Sequence, residues 1–189
     1  MGISRYRFGH VLGLLLAVVF AGSVSAADNF PPTKHFAGQD LVLNGKGIRT
    51  KLFFDLYTAG LYLPKQNPDA GSILSGNEGV ALRMEITSTM ITSATMEAAV
   101  RDGFALSAGD KLASLQPRID QLIVIFKEKI NNGDLYDFVY RPQNMIVFKN
   151  GKQAGTIVGQ DFKQAFYAIW LGQQPVQADL KQKLLGGGR

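Results

Sequence analysis

The chain has 189 residues with 20 Lys plus Arg against 15 Asp plus Glu, two His and no Cys. That length fits one domain, and 46% hydrophobic with 19% charged residues makes a packed core feasible and wholesale disorder untenable. The absence of cysteine excludes a disulfide scaffold, a thiolate nucleophile and a Cys-based zinc site, and two histidines leave little room for imidazole chemistry.

Residues 1–26 read as a secretory signal. Arg5 and Arg7 form a basic start, residues 11–22 (VLGLLLAVVFAG) form an uncharged apolar run, and Val24-Ser25-Ala26 supplies small residues for cleavage between Ala26 and Ala27. The apolar run is well short of the ~20 residues of a bilayer-spanning helix, so no stable membrane insertion is expected once the signal is removed. Cleavage would also remove His10 and leave His35 as the one histidine. The chain contains no Asn-x-Ser/Thr sequon, which together with the signal points to a bacterial periplasm.

Residues 27–38, with Pro31-Pro32, read as an extended, loosely held leader, and residues 39–189 as one domain. Asn44-Gly45-Lys46-Gly47 reads as a turn between short β segments. Residues 51–63 (KLFFDLYTAGLYL) read as one long buried strand with a bend near Gly60. Residues 68–74 suggest a short helix capped by Asn67, and residues 80–87 another strand. A helix is expected over 94–107, then a helical pair over 109–130 broken at Pro117.

Residues 134–140, 145–149 and 153–158 form a three-strand meander turned by Pro142-Gln143-Asn144 and by the hairpin signal Asn150-Gly151. An aromatic amphipathic helix over 161–170 stops at Gly172, and a last helix covers 176–185. The fold class is therefore α+β.

His35 has no nucleophile-elbow motif to serve and reads as an exposed residue; neither a metal site nor a cofactor is indicated. Gly45-Lys46-Gly47 fails as a dinucleotide fingerprint at its third glycine and precedes a strand. The bases are scattered among acids, which argues against nucleic acid. Arg49 is the ionised residue of most interest: a guanidinium in a cleft offers a planar fork to a carboxylate or an enolate oxygen, and the alternative is a rim arginine paired with Asp55. Tyr57 and Tyr62 are possible hydroxyl donors, but their odd spacing sends them to opposite faces of a strand.

Residues 43–63 (LNGKGIRTKLFFDLYTAGLYL) resemble the first hairpin of the chalcone isomerase-like superfamily, with its Gly-x-Gly-x-Arg turn and a strand ending Gly-Leu-Tyr. Residues 161–185 (DFKQAFYAIWLGQQPVQADLKQKLL) resemble its closing helix, Gly-x-x-Pro-Val turn and last helix. The chain is most similar to the bacterial, signal-bearing branch. The resemblance implies an antiparallel sheet with helices packed over one face and a ligand cleft between them. It places Arg49 where that family steadies a phenolate in its isomerases, or a lipid carboxylate in its fatty-acid binders.

By the same resemblance, Tyr57 falls at a strand Thr, and Met96, Ala99 and Gly103 fall at the Tyr, Lys and Asn of the isomerase site. These substitutions imply an apolar wall for an acyl chain, with Arg49 and Tyr57 at the head group. The expected function is binding of a small amphipathic carboxylate such as a fatty acid. The alternatives are an intramolecular lyase or isomerase acting on an aromatic ketone, with Arg49 catalytic, and a partner-binding module whose cleft is filled by its own side chains.

Overall fold

A computed structural model describes residues 1–2 and 28–187; the expected signal segment and its cleavage point lie outside the described residues. Seven strands, β1 (Thr33–Phe36), β2 (Gln39–Lys51), β3 (Phe54–Leu63), β4 (Val80–Ile86), β5 (Leu135–Arg141), β6 (Asn144–Lys149) and β7 (Lys152–Val158), form one antiparallel sheet in sequence order. Helix α1 (Ala70–Ser75) precedes β4, helices α2 (Ser93–Ser107) and α3 (Leu112–Ile125) lie between β4 and β5, and α4 (Gln160–Leu171) and α5 (Ala178–Leu184) follow β7. The sheet curls into a half-barrel.

Strand alternation gives the sheet two different faces. Leu61, Leu82, Phe138 and Val147 are successive Cα partners across β3 to β6, and all are buried on the face that carries the helices. One residue along, Tyr62, Ala81 and Val139 are successive partners on the opposite face. There Phe30 and Phe36 cover them, with the Phe36 and Tyr62 rings 5.0 Å apart, edge to face. The segment expected to be a loose leader is thus extended but firmly held, because its two aromatic residues close the outer face and β1 pairs with β2.

A buried ion pair fastens the same face. Arg83 on β4 donates to both carboxylate oxygens of its cross-strand partner Asp137 at 2.7 and 2.8 Å, and to the Asn29 carbonyl at 2.8 Å. Two fixed donors meeting two acceptors is the geometry in which a buried pair offsets its desolvation.

Five expected local features differ in the structure. Asn44 to Gly47 is no turn: β2 runs through it, with a bulge at Asn44, whose side chain bonds the Asn67 backbone N–H and the Leu184 carbonyl. The glycines serve close approach instead, since a Cβ at Gly45 would lie 2.0 Å from the Lys183 carbonyl oxygen and one at Gly47 2.9 Å from Leu180. The hairpin sits at Leu52-Phe53, inside the stretch expected to be one strand, and the irregularity of β3 falls at Leu56 rather than Gly60. Gly60 makes room for the Phe30 ring across the outer face.

In α1 the cap is Asp69, whose carboxylate accepts the Gly71 N–H at 2.8 Å, rather than Asn67. Pro117 does not break a helical pair: α3 continues through it, preceded by a short 3₁₀ turn at Gly109–Lys111. Its apolar stripe Leu115, Ile119, Leu122 and Ile123 is buried, which compensates the hydrogen bond that proline forgoes.

Candidate functional site

Between the helix-bearing face and helices α2 and α4 lies a cavity of about 420 Å³, within the ~300–1,000 Å³ usual for small-molecule sites. Its volume counts against a cleft packed by its own side chains. Met84, Phe126, Phe138, Phe166, Ile169 and Trp170 make most of its depth, and the lining carries two cations, Arg49 and Lys51, and no acidic residue. The lining is thus largely apolar, with positive charge as its one ionic character.

Arg49 and Tyr57 are Cα partners across β2 and β3, so their side chains share a face. The β2–β3 register shifts beside them, adding Leu56 to the lining. Arg49 is half-buried, and one nitrogen of its guanidinium donates to the Thr50 carbonyl at 2.6 Å and to the Gln177 side-chain oxygen at 3.2 Å. Gln177, just before α5, also accepts the Thr50 N–H at 3.0 Å. The Gln177 side chain therefore ties the C-terminal helix to the strand that carries the arginine.

Among the described residues no carboxylate pairs with Arg49. Asp55, the alternative partner, accepts instead from the Thr50 hydroxyl at 3.0 Å.

Tyr57 is buried, and its hydroxyl accepts the Trp170 indole N–H at 3.0 Å. Burial pushes the phenol up to about 12, against the opposing pull of the Trp170 N–H and the Arg49 charge. At neutral pH it keeps its proton and is a hydrogen-bond donor. Tyr62 falls on the other face, as its spacing required, and donates to the Pro31 carbonyl at 3.1 Å.

Helix α2 begins with a reciprocal cap in which Thr92 and Thr95 satisfy each other's backbone N–H. Met96 and Ala99 from its first two turns line the cavity. Gly103, one turn further, does not: Ile169 of α4 packs on it, 3.0 Å from where a Cβ would stand. The position grouped with the apolar wall is a helix crossing, because after one more turn the α2 axis has passed the cavity and meets α4.

Two neighbours of the Arg49–Tyr57 pair escaped the sequence. Trp170 is visible as part of an apolar stripe, and its indole N–H, which needs a partner when buried, is the signal that would have linked it to a hydroxyl. Gln177 carries no such signal. His35 bonds Asp40 at 2.8 Å on the exposed β1–β2 hairpin and does not line the cavity. Among the described residues no group of three His, Cys, Asp or Glu is placed to hold a metal, and no helix is long and apolar enough to cross a membrane.

The chalcone isomerase-like family matches residues 23–186 of the chain. No curated protein matches it. Among solved structures, the crystal structure of an Arabidopsis thaliana fatty-acid binding protein aligns with a TM-score of 0.69 at 14% identity, covering 82% of this chain and 90% of that one. At that identity the likeness shows a common fold.

Proposed function

The chain belongs to the chalcone isomerase-like family, and on that premise we propose that it is an exported, non-catalytic protein binding a small amphipathic carboxylate, such as a fatty acid. The observation that carries this reading is the lining: a guanidinium opposed by no carboxylate, in a cavity otherwise walled largely by apolar side chains. Arg49 would take the carboxylate, Tyr57 would donate a second hydrogen bond, and Met96 and Ala99 would lie along the tail. The fatty-acid binding protein that shares the fold supports the ligand class, and the signal-like residues 1–26 support export to a periplasm.

Binding is favoured over turnover by the titratable groups of the lining, which are Arg49, Lys51 and Tyr57. Proton transfer near neutrality needs a group whose pKa lies near the working pH, whereas a guanidinium stays charged and Tyr57 is pushed up to about 12. An isomerase of the chalcone type would use the same Arg49–Tyr57 pair to clamp an oxyanion, and the apolar Met96 and Ala99 leave that reading second. Native mass spectrometry of protein purified without detergent tests the proposal. The expected spectrum contains an adduct that is released on denaturation as a carboxylic acid; a ligand-free mass that stays unchanged on adding fatty acid would refute it.

A further inference from the structure

Three two-residue hairpins among the described residues place both central residues at positive φ. They are Ala37-Gly38 (47° and 84°), Leu52-Phe53 (49° and 71°) and Asn150-Gly151 (51° and 79°). Glycine at the second position is the usual way to hold this turn without strain. At 52–53 the chain instead carries two bulky residues in the left-handed region, a conformation that persists where something else requires those side chains. Core packing among the described residues does not: Leu52 is 76% exposed, Phe53 100% and Phe54 57%, and Met90, on the same cavity lining as Leu52 and Phe54, is 51% exposed.

We propose that the β2–β3 hairpin tip is a membrane-docking element that inserts Leu52, Phe53 and Phe54 into a lipid bilayer, so that the cavity loads and unloads at the membrane surface. The inference rests on the fatty-acid reading of the cavity. Two observations select a bilayer as the occupant. The apolar side chains project from a two-residue turn, which gives a tip suited to penetrate between lipids and not a broad face for another folded surface. Leu52, Phe54 and Met90 also line the cavity, and exposed Lys51 stands beside them, matched to lipid phosphate. An acyl chain leaving the bilayer along these side chains would enter the cavity without crossing water.

The test is flotation of the purified protein with vesicles of phosphatidylcholine and phosphatidylglycerol, for the wild type and for Phe53→Gly. Glycine suits the 71° backbone angle, so the turn is kept while the exposed ring is lost. The wild type should float, and the variant's vesicle-bound fraction should fall at least about tenfold. Its affinity for a fatty acid in vesicle-free solution should be unchanged, because Phe53 does not line the cavity. A wild type that stays unbound, or that floats no better than the variant, overturns the proposal. So does a wild-type dimer that Phe53→Gly turns into a monomer, since a second copy would then be what covers the tip. Fatty-acid binding of the wild type in vesicle-free solution reports on the cavity separately and leaves the docking result to stand by itself.

Discussion

Arg49 and Tyr57 form the polar end of the cavity by a division of labour that their surroundings enforce. The guanidinium needs no tuning to stay charged, and Gln177 with the Thr50 carbonyl holds one of its nitrogens in place. The phenol, buried and bonded to Trp170, stays protonated. On the proposed fatty-acid reading, replacing Tyr57 with Phe removes one donor to the ligand and leaves the Trp170 N–H without its acceptor, so fatty-acid affinity should fall about tenfold.

Because the phenol loses its proton only near 12, that deficit should be the same from about pH 6 to pH 10. Titrations of both proteins across that range check it, and a deficit that shrinks in mild alkali would show the phenol ionising early. The roles of these residues were only half legible in the sequence. Charge and spacing singled out Arg49 and separated Tyr57 from Tyr62, but nothing local says that Asp55 turns to Thr50 and leaves the arginine with no carboxylate partner among the described residues.

Elements were legible where one physical demand dominates. Asn150-Gly151 predicts its hairpin because both residues accept positive φ, whereas Leu52-Phe53 adopts the same turn with no sequence signal for it. Gly45 and Gly47 misled for the converse reason, since glycine marks a turn and a close approach alike, and here α5 lies directly against the strand. Gly45→Ala would drive a Cβ into the Lys183 and Leu184 carbonyl oxygens and push α5 outward. It should cost about 1–3 kcal/mol in denaturant unfolding and also weaken fatty-acid binding, because Gln177 at the start of α5 positions Arg49. An unchanged unfolding midpoint would mean that α5 does not bear on the strand. Lys163 shows another demand hidden from pattern: burial lowers its ammonium to about 8, and it donates to the Ile73, Leu74 and Gly76 carbonyls at the C-terminal end of α1.

At the scale of the molecule, one curled sheet separates two tasks. Its outer face is closed by Phe30, Phe36 and the Arg83–Asp137 pair, and its inner face is only partly filled by the helices, leaving the cavity. The α+β class and the strand order of the meander followed from alternation and turn residues. The inclusion of β1 did not, because a Pro-rich leader and an edge strand look alike until Phe30 and Phe36 find a surface to cover. That the inner face holds a cavity depends on side chains from β2, β4, α2 and α4 failing to meet, which no local pattern records.

The most direct test of Arg49 as the carboxylate anchor is a calorimetric titration of four combinations: wild type and Arg49→Ala, each with a long-chain fatty acid and with its methyl ester. The substitution should weaken acid binding about 10- to 100-fold, as expected for a hydrogen bond to a charged group, and leave ester binding nearly unchanged. Equal losses for acid and ester, or no loss for either, would contradict it.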